Sequence, residues 1–217
     1  MEILVIGDEV NLNECKTKFG DGHSYDFAAN YSEAIDRLNE NKIVFDFILS
    51  KHSDKISTFQ KGNSRCVFVD SNQTTLSKIV GTKNDTTFFG FCGLPTFLNR
   101  EILELTIINE ESKSPLDKIA GDLSLNFKIV EDRVGMVTPR IICMIINEAY
   151  FTIEENVASR TDIDLAMKLG TNYPFGPFEW CQKIGVKNVY QLLKSVFETT
   201  NDERYKISSL LEKEASA

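Results

Sequence analysis

Residues 135–185 read GMVTPRIICMIINEAYFTIEENVASRTDIDLAMKLGTNYPFGPFEWCQKIG, and the two halves of this stretch set the architecture of the chain. From Val137 to Ile153, apolar side chains recur at helical spacing (Ile141, Ile142, Ile145, Ile146, Ala149, Tyr150, Ile153). Such a wide stripe must be buried, and one long helix is predicted. Ser159, with Asp162 three residues on, then has the form of a capping box. A second helix is expected from Arg160 to Leu169, stopped by Gly170. Tyr173-Pro-Phe-Gly-Pro177 reads as a rigid turn, and Phe178 to Ile184 as a short helix with Pro177 in its first turn.

Outward from this stretch, the composition is that of a globular protein: 217 residues, 42% hydrophobic and 26% charged. A net charge of -8 with no offsetting Lys/Arg cluster excludes a nucleic-acid binder, which needs a basic footprint. No apolar run approaches the roughly 20 residues that span a membrane, and no basic, then apolar, leader opens the sequence. A cytoplasmic protein is expected. Cys15, Cys66, Cys92, Cys143 and Cys181 lack a C-x-x-C pair and read as reduced thiols. No metal-ligating motif is found.

The N-terminal half reads as alternating strands and helices. Met1 to Gly7 suits a buried first strand, followed by a helix at Asn11–Phe19, a strand at Ser24–Ala29 and a helix from Tyr31 to Asn41 with Ala34, Ile35 and Leu38 inward. Strands are expected at Val44–Leu49, Arg65–Val69, Thr86–Gly90, Glu101–Ile108 and Phe127–Val130, with helices near Leu76–Val80 and Lys113–Leu123. The fold class is α/β: a reduced, Rossmann-like, doubly wound, mostly parallel sheet over residues 1–132, followed by an all-α domain over 133–217.

Asp162-Ile-Asp-Leu-Ala-Met-Lys-Leu-Gly170, then Tyr173-Pro-Phe-Gly-Pro-Phe-Glu179 and Ile184-Gly185, resemble the C-terminal helical domain of 3-hydroxyacyl-CoA dehydrogenases, over about residues 133–211. The resemblance implies NAD as cofactor, a 3-hydroxyacyl thioester as substrate, and a histidine base oriented by a glutamate, with an asparagine and a serine positioning the substrate. The ungapped match of Gly90-Phe-Cys92 through Leu103-Glu104-Leu105 to the family's segment puts Glu104 at the orienting position and Cys92 where the histidine belongs. The family's asparagine falls on Pro139, which has no side-chain donor, and its serine on Thr74, which keeps a hydroxyl. His23 and His52 lie elsewhere and read as surface residues.

The phosphate loop departs as well. A dinucleotide fold holds pyrophosphate with G-x-G-x-x-G at the first strand-to-helix turn. Here Gly7-Asp-Glu-Val-Asn-Leu12 keeps only Gly7, with Glu9 and Leu12 at the other two glycine positions. Asp8 and Glu9 put negative charge where a dianion would sit. The ribose-binding acid falls near Asn30, which could still hydrogen-bond. Two readings stand. One is a homologue without hydride transfer, a pseudoenzyme whose helical domain pairs it as a homodimer and binds acyl-CoA. The other is a working oxidoreductase of fatty-acid or butanoate metabolism with Glu104 as base. A catalytic Cys92 thiolate is disfavoured by the anion beside it.

Overall fold

The computed structural model describes residues 1–38, 43–60, 66–81 and 86–217. They form two compact units, Met1–Met136 and Val137–Ala217.

In the first unit, the elements run β1 (Glu2–Ile6), α1 (Glu9–Phe19), β2 (Ser24–Ala28), α2 (Tyr31–Ile35), β3 (Ile43–Asp46), α3 (Ser57–Gln60), β4 (Cys66–Asp70), α4 (Leu76–Val80), β5 (Thr87–Phe91), β6 (Leu103–Ile107), α5 (Lys113–Asp122) and β7 (Phe127–Ile129). The strands make one seven-stranded sheet in the order β2-β1-β3-β4-β5-β6-β7. Every pair is parallel except β5 with β6. Apolar side chains cover both faces, which is why the central strands read as unbroken apolar runs. Ile3, Val5, Phe45, Phe68, Phe89 and Leu105 belong to one core layer, and Leu4, Ile6, Val44, Val67, Val69 and Phe88 to the other. Within the first layer, the Phe45 and Phe68 rings stack at 4.6 Å and Phe68 meets Phe89 at 5.0 Å.

Three local expectations fail here. Helix α2 ends at Ile35, and residues 39–41 of the expected helix lie outside the described residues, as does Arg65 of the expected fourth strand. Ala34 and Leu38 are buried, but Ile35 is 57% exposed, because a helical step of about 100° turns it away from the face those two share. Strand β3 stops at Asp46 rather than Leu49, because the Asp46 carboxylate accepts the Ile48 and Leu49 amides and turns the chain.

The second unit contains α6 (Thr138–Glu154), α7 (Arg160–Thr171), α8 (Pro177–Ile184), α9 (Val186–Thr200) and α10 (Ser209–Ala215). Its core joins Ile142, Ile146 and Tyr150 of α6, Phe178 and Ile184 of α8, Leu192 and Val196 of α9, and Leu211 of α10. Buried Asn147 pins the segment before α10, donating to the Lys206 carbonyl at 2.8 Å and accepting the Ser208 amide at 2.9 Å. The Ser159 hydroxyl caps α7 and also donates to Asp162 at 2.6 Å. Gly170 does not stop α7: the helix runs to Thr171, and Asn172 ends it in the left-handed conformation at φ 56°. On α6, the stripe is only partly covered, with Ile141 53% exposed against 4% for Ile142. Tyr173 and Phe175 pack edgewise on Trp180. No helix of the described residues is long and apolar enough to cross a membrane.

Candidate functional site

In a doubly wound sheet, a ligand binds outside the carboxyl ends of the strands where the strand order reverses. That point lies between β1 and β3, since β2 and β3 flank β1 on opposite sides. Gly7 follows β1 there and Phe47 follows β3. A Cβ added to Gly7 would lie 2.4 Å from Asn11 Oδ1 and 3.2 Å from Phe47 Cβ, so the space that a glycine opens for phosphate is taken by the chain's own side chains. Asn11 accepts the Asp8 amide at 2.9 Å, and Asp8 accepts the Asn11 amide at 2.9 Å. This reciprocal box satisfies amides at the start of α1 that would otherwise be available to an anion. Glu9 is exposed in the first turn, and Leu12 is half-buried against the core. Asn30 caps α2, accepting the Glu33 amide at 3.1 Å and donating to the Glu33 carboxylate at 2.8 Å.

Two carboxylates close the same edge of the sheet. Asp46 is fully buried and accepts the Tyr31 hydroxyl at 2.7 Å as well as the two backbone amides. Burial pushes its pKa up to about 6, against the pull of those hydrogen bonds, with Asp70 raising it further. Asp70 accepts the Gly93 amide at 2.8 Å and the Asn72 side-chain amide, and burial raises its pKa as well.

The expected catalytic positions lie on the antiparallel pair. Strands β5 and β6 oppose Phe89 to Ile107 and Gly90 to Thr106. Extended past the end of β5 at Phe91, that register would set Cys92 opposite Glu104, in keeping with their twelve-residue spacing. Cys92 is buried and Glu104 half-buried. The residue that sequence reasoning missed is Arg100. Its guanidinium lies 4.8 Å from the Phe97 ring centre, and it interacts electrostatically with both Glu104 and Cys92. Burial lowers its pKa, against the upward pull of those two groups. A signal was present, since Arg100 is the sole cation between Gly90 and Leu105.

The connection carrying Arg100 is tied to α1. Glu14 accepts the Thr96 amide at 2.8 Å, and Lys18 donates to the Arg100 carbonyl. Thr96 is held at φ 76°, a conformation that β-branched residues rarely adopt. Burial raises the Glu14 pKa and lowers that of Lys18.

Thr74 is half-buried in the turn after β4, beside Thr75, which caps α4. Pro139 belongs to the second unit, buried in the first turn of α6. Thus Gly7, Glu9 and Leu12 gather around one helix start, with Asn30 at the next strand end, while Cys92 directly follows β5 and Glu104 lies on β6. His23 is half-buried, 3.4 Å from the N-terminal amine, and His52 is exposed. No group of three or more His, Cys, Asp or Glu residues among the described residues is arranged to hold a metal.

A Rossmann-type sheet unit is thus followed by an all-helical unit. Residues 135–217 match the family model of the 3-hydroxyacyl-CoA dehydrogenase C-terminal domain. The helical unit is therefore a 3-hydroxyacyl-CoA dehydrogenase C-terminal domain. The chain is 42% identical over 86 residues to a 3-hydroxyadipyl-CoA dehydrogenase of Escherichia coli, covering 40% of this chain and 18% of that protein. It is 25% identical over 195 residues to a 3-hydroxybutyryl-CoA dehydrogenase of Bradyrhizobium diazoefficiens, covering 86% of this chain and 67% of that protein. The fold is also that of an (S)-3-hydroxybutyryl-CoA dehydrogenase from Ralstonia eutropha, with a TM-score of 0.73 at 17% identity over 99% of this chain and 93% of that one.

Proposed function

We propose that this protein is a 3-hydroxyacyl-CoA dehydrogenase homologue that does not bind NAD in the family's pose and does not transfer hydride, and that acts through its helical unit as a homodimer and acyl-CoA binder. The observation that carries the reading is the start of α1, where Asp8 and Asn11 satisfy each other's backbone amides and Asn11 fills the space over Gly7. A pyrophosphate would have to displace Asn11 and settle beside Asp8 and Glu9, which repel it. The exchange of the family's histidine and asparagine for Cys92 and Pro139 supports the same reading. Hydride leaves an alcohol only as its proton is taken, and neither side chain supplies a base near neutral pH.

Thermal melting with NADH is the direct test. Stabilisation grows as RT ln(1 + [L]/Kd), so millimolar NADH should leave the melting temperature within about 1 °C of the free protein. A shift of several degrees would overturn the reading. Acetoacetyl-CoA reduction, followed at the nicotinamide absorbance band, should be undetectable in the parent and in Cys92→His. Base, substrate contact and cofactor site act as a unit, and one repair leaves the others limiting. Turnover by the parent that Glu104→Gln abolishes would instead establish a working dehydrogenase with Glu104 as base.

A further inference from the structure

Helix α7 docks on its unit in a way that the other helices do not. None of its residues is buried, whereas α6, α8, α9 and α10 each bury apolar side chains. A helix normally packs through an apolar stripe at three- and four-residue steps. In α7 the residues at four-residue steps that turn toward the neighbouring helices are Arg160, Asp164 and Lys168, all charged. Each is met by a polar partner from another helix: Arg160 by Glu214 of α10, Asp164 by the Phe178 and Glu179 amides of α8, and Lys168 by the Glu179 carboxylate. Ile163 and Met167 are only half-buried, and Leu165 and Leu169 are exposed.

Fastening by polar clasps leaves space beneath the helix. Packed helices enclose few voids larger than a water molecule, yet a cleft of about 680 Å³ separates α7 from the helices it meets, floored by Tyr150, Phe178, Cys181 and Val186. Both ends of α7 turn through left-handed residues, Asn156 at φ 55° before it and Asn172 at φ 56° after it, within exposed stretches at 155–157 and 169–172. The energetics follow from these contacts. Ion pairs whose side chains are a third to a half exposed contribute little and are screened by salt, and all three clasps exchange for water when the helix lifts. Lifting α7 unburies no fully buried side chain of its own, so it costs less than unfolding the unit. The geometry points to α7 as a lid: hinged at Asn156 and Asn172, it swings away as one rigid piece while α6, α8, α9 and α10 stay packed, and it uncovers the apolar floor of the cleft. This goes beyond the acyl-CoA and homodimer reading and does not depend on it.

Hydrogen exchange of the full chain, read by peptide mass spectrometry, tests the lid. Amides of α7 should exchange at least about tenfold faster than those in the middle of α6 and α9. Glu214→Gln removes the Arg160 ion pair while keeping the shape of the side chain, and should accelerate α7 about two- to fivefold further, the range an exposed pair supports. Because the lid moves as one piece, that acceleration should reach Thr171 at the far end of the helix and leave α6 and α9 unchanged. Raising the salt concentration should do the same to the parent. Exchange in α7 no faster than in α6 and α9 overturns the lid. So does a Glu214→Gln effect confined to the first turn, which is fraying, or one spread equally over all five helices, which is opening of the whole unit. If the variant does not fold, the parent's exchange pattern and its response to salt decide alone.

Discussion

Two helices, one in each unit, begin on a glycine-bearing turn closed by the chain's own carboxylate, and they use that closure differently. At α1, the carboxylate is local: Asp8 and Asn11 lie three residues apart and satisfy only each other's amides. At α8, it comes from another helix: Asp164 of α7 accepts the Phe178 amide at 2.8 Å and the Glu179 amide at 3.1 Å, while Glu179 accepts the Gly176 amide at 3.0 Å. A Cβ on Gly176 would come within 2.3 Å of Asp164. One closure fills a position that could have held a ligand, whereas the other fastens two helices together. A carboxylate at a helix start acquires structural weight from the distance it spans in the chain.

The largest effect expected from breaking this contrast is at α8. Asp164→Ala strands two amides at a part-buried helix start and should cost about 3 kcal/mol, read as a loss of chemical stability in the second unit. Gly176→Ala should approach the same loss by driving Asp164 off those amides, whereas Gly7→Ala displaces the side chain of half-buried Asn11 and crowds Phe47 Cβ at 3.2 Å, and should cost less.

Titration sharpens the contrast, because the units respond to pH with opposite sign. Asp46 is raised from its ordinary 3.8 to about 6, so the folded first unit holds that proton more tightly than the unfolded chain. The stability it contributes is complete below about pH 4 and is lost as pH rises through 6, by on the order of 2–3 kcal/mol. Glu214 of the second unit moves the other way. Burial raises its pKa, but hydrogen bonds from Arg160 and Tyr150 outweigh that and hold it below the ordinary carboxylate range. Its contribution is present above the unfolded value of 4.5 and is lost as pH falls through the folded one. Denaturant melts between pH 4 and 7 should therefore show the first unit weakening with pH, with Asp46→Asn flattening that slope and leaving the second unit unchanged.

The smallest effect is at the α1 cap. Asp8→Ala should cost only about 1 kcal/mol, the usual value of a lost cap. Replacing Glu9 and Leu12 together with glycine should tighten NADH binding relative to the parent while Asn11 still limits it, as calorimetry would show.

The helical unit was legible because its signals are local. The Ser159 cap, the Pro-Gly-Pro turn and the apolar periodicity each act within a few residues and suffice without knowledge of distant partners. In the sheet unit, strand positions were legible to within about three residues, the largest error being the end of β3, but pairing was not. β6 runs antiparallel to β5 across the short 92–102 connection, which has no crossover helix and is fastened to α1 through Glu14 and Lys18, contacts 82 residues apart in sequence. Arg100 escaped notice for the same reason, since its meaning depends on a cross-strand register. Ile35 and Ile141 were misplaced because periodicity shows that a stripe exists but not how much of it the fold covers.

The cysteines give the molecule a pair of internal clocks. Cys15 is sealed in the core of the first unit, and Cys143 and Cys181 in that of the second, each with its thiol pKa raised mainly by burial. A thiol reagent can reach them only when the surrounding unit opens, so alkylation rates resolved by peptide mass spectrometry time the opening of each unit separately. Half-buried Cys66, its pKa pushed up to about 11, offers a faster reference within the same chain.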